Sequence, residues 1–231
     1  MKRVRYLFLI CLILLLISSY NVYSQRVLGA IAAGMNLSQV DGDEIYGFNK
    51  VGFNIGPSAI IPFGKTKKFS VNFELLFSQK GSYEKIGPSD TTGEPQPYYK
   101  LKLDYVEVPV FVRYTDRNLV SGGLGFSYGQ LVGVKEIEHG TRTETNLQGP
   151  YTLADFEVLA DVQLRIWQRL WFNVRYSYSL VPIRHRHYKV AIPNGYDEWD
   201  RAQYNNVISF RLIYVFNQEL INKKEKNRKK Q

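Results

Sequence analysis

From Val51 onward the chain separates, in steps of two, into an apolar set and a small-or-polar set. The stretch 69–80 shows this well. Phe69, Val71, Phe73, Leu75 and Phe77 fall on one side, and Ser70, Asn72, Glu74, Ser78 and Lys80 on the other, with Leu76 the one intruder. A period of two belongs to β-strands, because successive side chains leave opposite faces of the pleat. The pattern predicts about eight strands, at 27–38, 51–63, 69–80, 101–114, 118–134, 153–166, 170–180 and 205–216. Each has the ~10 residues needed to cross a bilayer at a tilt.

Alternation alone does not say which face is outside, since a soluble lipocalin-like barrel has the same period. Three features favour the inverted, membrane version. The polar face is rich in small residues (Gly123, Gly125, Ser127 and Gly129), which suit a crowded lumen. The apolar face ends in aromatics (Tyr114, Tyr178, Tyr214 and Phe216), where interfacial girdles sit. Short turns near 64–68, 115–117 and 167–169 alternate with long loops near 39–49, 81–100, 135–152 and 181–204. The expected fold is all-β: an eight-stranded, antiparallel, up-and-down transmembrane β-barrel with a filled polar lumen, long loops extracellular and termini periplasmic. Pro57 and Pro109 each remove a ladder donor. A bulge near either would flip the faces beyond it and part Glu107 from Arg113, which simple counting puts together.

So narrow a barrel has an interior that side chains fill. The expected lumen mixes Glu74, Glu107, Asp155, Glu157 and Asp161 with Arg113, Arg165, Arg175 and Arg211. Buried charges left unpaired cost several kcal/mol each, so a salt-bridged plug is expected rather than an ion pathway.

Composition adds the cell's compartment. Lys2, Arg3 and Arg5 precede an apolar run of 12 residues at 6–17, and Val22-Tyr23-Ser24 ends in a small residue. This predicts a signal peptide at 1–24, the run being short of the ~20 residues of a spanning helix. The single cysteine, Cys11, lies inside that segment, so no disulfide or thiol chemistry is expected of the exported chain. The net charge of +9 falls to +6 without the signal. Much of the rest sits at 218–231, a basic tail expected in the periplasm after a barrel domain at 25–217. An exported chain rarely meets nucleic acid, so none is expected as a partner.

Several stretches resemble the PorT-type outer-membrane β-barrel proteins of Gram-negative bacteria. They are Gly34-Met35-Asn36-Leu37-Ser38 with Asp41-Gly42-Asp43, then Glu74-Leu75-Leu76-Phe77-Ser78-Gln79-Lys80-Gly81, then residues 101–110, and the closing Leu212-Ile213-Tyr214-Val215-Phe216. The resemblance spans the exported chain and implies an outer-membrane location. Some such proteins are linked to secretion across that membrane; no catalytic residues come with the resemblance. The chain departs from barrels that end on an aromatic, because the basic tail follows Phe216.

Outside the lumen the densest cationic cluster is Arg184, His185, Arg186, His187 and Lys189. Guanidinium groups bind phosphate bidentately, so contact with lipopolysaccharide is expected there. His185 and His187 share a face, yet no third metal ligand is identifiable, and neither metal nor cofactor is expected. Asp41-Gly42-Asp43-Glu44 is acidic but reads as a turn, with too few ligands for calcium. Ser179, His185 and Asp155 or Glu157 could form a hydrolytic set, the basis of a lipid-modifying enzyme as an alternative. A narrow passive pore is another. The main expectation is a non-enzymatic surface-structural, interaction or secretion-accessory protein, with outer-membrane lipid, lipopolysaccharide and other outer-membrane or secretion proteins as partners.

Overall fold

A computed structural model describes residues 27–84, 99–138, 141–143, 147, 149–192 and 195–216. The predicted signal, the basic tail and His139, a third histidine in the predicted loop 135–152, lie outside the described residues. The described elements are all strands: β1 (Leu28–Asp41), β2 (Lys50–Phe63), β3 (Phe69–Glu74), β4 (Leu76–Tyr83), β5 (Tyr99–Asp116), β6 (Val120–Glu138), β7 (Thr141–Thr143), β8 (Ala154–Arg165), β9 (Leu170–Ser179), β10 (Arg184–Ile192) and β11 (Gly195–Val215). Every pairing is antiparallel, and β1 closes on β11 from Ala30↔Val215 to Asp41↔Tyr204. With β3 and β4 forming one stave, the ring runs β1, β2, β3/β4, β5, β6, β8, β9, β11 and back, eight staves in all.

The faces resolve the ambiguity left by alternation. Leu124 and Phe126 are 70% and 66% exposed, while Glu157 and Arg211 are 1% and 2% exposed. The greasy face is outside. In water each exposed Leu or Phe would forgo about 1.5–3 kcal/mol of burial, so this surface suits hydrocarbon, and the lipocalin arrangement is overturned. The outward apolar stretch is nine residues long on six staves: 69–77, 106–114, 120–128, 156–164, 170–178 and 208–216. That matches the ~9–11 residues of a tilted transmembrane strand. Aromatics edge it, with Phe69 against Tyr114 at 5.1 Å at the short-turn end and Tyr178 stacked on Tyr204 at 6.1 Å at the long-loop end.

Departures from the expected strands have local causes. The predicted strand 69–80 is broken at Leu75, although its register is the same on both sides (Ser58↔Glu74, Ile55↔Phe77). Leu75 donates to the Pro57 carbonyl at 3.0 Å, and Pro57, lacking an N–H, returns nothing. A methyl group added at Gly56 would land on the Leu75 carbonyl, so the staves approach too closely there for any side chain. Neither proline makes a bulge. The register shift lies instead between Asp104 and Tyr105, where Val132 of β6 is left over, so Glu107 and Arg113 do share the luminal face, 6% and 3% exposed.

Much of the loop predicted at 181–204 is a β10–β11 ribbon that continues past the apolar band, and β5 and β6 also extend beyond it. Stacking of Tyr188 on its cross-strand partner Trp199, at 5.7 Å, holds the ribbon together where no barrel neighbour pairs with it. The short turn after β5 is tight: Leu119 N–H donates to the Asp116 carbonyl at 2.9 Å, with Arg117 and Asn118 at φ 46° and 54°. These are the positive values of a type I′ hairpin turn.

Candidate functional site

The lumen is built in layers, and each layer follows from which residues the staves turn inward. At the short-turn end Leu28, Ala30, Ala32, Trp171, Ile213 and Val215 pack into an apolar floor. At the long-loop end Val40, Tyr99, Leu101, Leu103, Tyr105, Leu131, Tyr151 and Ile183 form an apolar, aromatic ceiling. The charges lie between them. The filled lumen expected from the sequence is thus polar in its middle and apolar at each end. Its ends are greasy because Ile213 and Val215 of β11 and the odd positions 99–105 of β5 are apolar and also face in.

The lower charged layer is rich in guanidinium. Glu74 accepts from Arg175 Nη2 and from Arg211 Nη1, each at 2.9 Å. Asp161 Oδ2 accepts from Arg113 Nη2 at 2.7 Å and from Arg175 at 3.4 Å, with Arg211 Nη2 3.8 Å away. Arg175 lies over the Phe111 ring at 4.1 Å, and Arg211 Nε donates to Asn173 Oδ1 at 2.8 Å. Gly34 makes room for this: a Cβ there would meet Arg211 Cγ at 2.7 Å, so Arg211 can cross the lumen only over a residue without a side chain.

The upper layer is rich in carboxylate. Lys80 Nζ sits 2.6 Å from both Glu107 Oε1 and Glu157 Oε1 and 3.7 Å from Asp155 Oδ2. It also lies 5.0 Å from the centre of the Tyr105 ring, and Asn205 Nδ2 donates to Asp155 at 2.8 Å. One ammonium thus serves three carboxylates, whereas the lower layer sets three guanidiniums against two. The surpluses are opposite in sign and face each other across a cavity of about 10 Å³ lined by Asn36, Ser78, Lys80, Glu107, Arg175 and Arg211. That is room for about one water molecule.

Of the nine luminal charges expected from the sequence, eight are brought together. Arg165 is not. As the last inward residue of β8 it lies at the rim and donates to the turn carbonyls of Trp167 at 3.3 Å and Asn118 at 3.4 Å. Lys80 was the missing member: it shares the face of Glu74 and Ser78, so alternation could have found it. Phe111 and Tyr105 could not be found that way, because each is flanked by outward valines or faces apolar neighbours on its own side, so the contrast between the faces of β5 is weak there.

The loop cations are already engaged. Arg184 donates to Glu136 at 2.9 Å and to the Tyr151 hydroxyl at 2.8 Å, and Arg186 to Glu138 at 2.6 Å. His187 lies 2.7 Å from Asp200, and Lys189 2.6 Å from Glu198. The cluster also splits between two faces of β10, Arg184 and Arg186 turning toward the barrel mouth and His185, His187 and Lys189 away from it. Ser179 is fully buried, its hydroxyl accepting from the Asn205 N–H at 3.0 Å, while His185 is exposed on the ribbon, so the two form no catalytic pair. No cluster of three metal-binding side chains occurs among the described residues.

A search of curated proteins finds no match. Among solved structures the chain is similar to Ail, the attachment invasion locus protein of Yersinia pestis, with 15% identity over 82% of this chain and 98% of Ail, at a TM-score of 0.45. It is similar too to Neisserial surface protein A, with 13% identity over 82% of this chain and 96% of that protein, at a TM-score of 0.45. The family model described as "Outer membrane protein beta-barrel domain" matches residues 24–184. With that match covering most of its length, the chain belongs to the outer membrane protein beta-barrel domain family of bacterial outer-membrane proteins.

Proposed function

We propose that this protein is a non-enzymatic scaffold of the outer membrane that presents its long-loop end to partners, in the manner of PorT-type secretion accessories. The long loops face the cell exterior, and the termini and basic tail the periplasm. The observation that carries the reading is the closed lumen: an apolar layer at each end and a charge-paired middle with space for about one water. Among the described residues such an interior favours a structural role over transport or catalysis. What is left to act is the outside, where the β10–β11 ribbon offers Tyr196, 64% exposed, beside paired charges. His185, His187 and Lys189 face outward there and contribute to contact with a partner or with lipopolysaccharide.

The test is crosslinking in intact cells with a photoreactive residue at Tyr196, followed by identification of the captured neighbours. A reproducible outer-membrane or secretion protein, lost when the ribbon is shortened, supports the reading. Failure to capture any protein neighbour overturns the partner-presenting role, and a changed lipid A mass spectrum in a deletion strain overturns the reading in favour of a lipid-modifying activity.

A further inference from the structure

The outer wall carries a second cationic group that the loop cluster obscured. On β5, Lys100 and Lys102 face outward, and on β6 so does Lys135. In the ladder Lys102 stands directly opposite Lys135, and Lys100 is opposite Ile137. Two like charges directly opposed on one face of an antiparallel pair repel. The only carboxylate engaged is Asp104, 3.1 Å from Lys102 Nζ, and Lys100 and Lys135 have no ion-pair partner among the described residues. On the outer wall of this strand pair three cations thus stand against one acid, apart from the luminal charges and the Glu136 and Glu138 partners of the loop cations that the same strands carry.

Its height on the barrel supplies the meaning. Below it, β5 continues with outward Val106, Val108, Val110 and Val112, and β6 with Tyr128, Phe126 and Leu124, the apolar band of the membrane. The lysines begin within a few residues of where the band stops. The leftover Val132 turns Lys135 outward: without that extra residue the alternation of β6 would put Lys135 in the lumen beside the carboxylates. The bulge therefore gathers the three cations on the wall at headgroup level.

We propose that Lys100, Lys102 and Lys135 form a seat for the phosphate of a membrane lipid headgroup, whose acyl chains lie on the valine face of β5 below. An anion between Lys102 and Lys135 turns the repulsion into two attractive contacts, and the lysine stems reach it without leaving the apolar surface. That the lipid is one of the outer leaflet rests on the orientation proposed above; the seat itself does not.

The experiment is thermal unfolding of the full chain in dodecyl maltoside, alone and with diphosphorylated lipid A, phosphatidylcholine or inorganic phosphate. Lipid A is expected to raise the wild-type midpoint by several degrees, and phosphatidylcholine and inorganic phosphate to leave it within one degree. Lys102→Gln/Lys135→Gln is expected to lose at least four-fifths of that shift, while Lys189→Gln on the ribbon keeps it. The single exposed change Lys135→Gln is expected to leave the lipid-free midpoint level or higher, because it relieves repulsion, and to halve the shift. An equal lipid A shift in wild type and both lysine variants overturns the proposal. So does an equal response to phosphatidylcholine, or one to inorganic phosphate that matches lipid A. Labelling of the loops in whole cells reads the orientation separately, so failure of either claim is distinguishable from failure of the other.

Discussion

Lys80 is the residue on which the interior turns. Its ammonium is 1% exposed and is the one cation among Glu107, Glu157 and Asp155. Removing one partner of a buried pair costs about 3–5 kcal/mol, because the other charge is left desolvated. Lys80→Met should therefore lower the unfolding midpoint sharply in a heat-shift assay, and adding Glu107→Leu and Glu157→Leu should restore much of the loss. Charge also sets a pH response, in the loop between β1 and β2. Burial pushes the Asp43 carboxyl up to about 6 from 3.8, despite the Ile45 N–H it accepts at 2.9 Å. The folded chain then holds a proton that the unfolded chain has released, so stability falls as pH rises from about 4 through 6. Asp43→Asn should remove this slope and raise stability at pH 7.5 by up to about 3 kcal/mol, read as the difference between midpoints at pH 4 and 7.5. At this scale the sequence reveals the members and not the partners. Alternation sorts Glu74, Arg175 and Arg211 onto inward faces, but only the stave register decides that Glu74 meets Arg175 from across the lumen, 101 residues away.

Hairpin turns and ladder breaks govern the elements. The type I′ turn after β5 puts Arg117 and Asn118 at positive φ, where a side chain other than Gly or Asn is strained by roughly 1–2 kcal/mol. Arg117→Asn/Asn118→Gly should relieve part of that and speed insertion into dodecyl maltoside micelles, as followed by the gel shift between unfolded and folded bands. The break at Leu75 has a different origin, Pro57 on the neighbouring stave, and Pro57→Val should heal it, giving slowed amide exchange at Leu75 and Leu76. Element boundaries were legible wherever one face met lipid and the other the lumen, since there the contrast is strongest. Beyond the apolar band both faces meet water or packed aromatics, as in β10 and in the 99–104 part of β5, and the period fades. The sequence therefore reads as loop where the chain forms strand. Prolines mark a real disturbance, but a break in the ladder and a register shift leave the same trace in a sequence, and here Pro57 gives the former.

For the molecule as a whole, two opposed layers of buried charge between two apolar layers make a plugged cylinder. In planar bilayers it should pass no resolvable current at 100 mV. Lys80→Ala/Glu157→Ala, which leaves only Glu107 and Asp155 in the upper layer, should allow at most brief, small openings. The outside makes a complementary demand. Val158 faces outward in the middle of the band, and arginine at the midplane of a lipid-facing strand costs about 2–4 kcal/mol. Val158→Arg should therefore destabilise the barrel in bilayers by that order, with a smaller effect for the same change at the rim, at Val120. All of this depends on the exterior being bathed by hydrocarbon, and spin labels placed one at a time at 156–164 in bilayers report that directly. The account predicts collision with lipid-dissolved oxygen at 156, 158, 160, 162 and 164 and protection at 157, 159, 161 and 163, in a clean period of two. Oxygen access at the odd positions, or an even series exposed to a water-soluble nickel complex along its whole length, would contradict it.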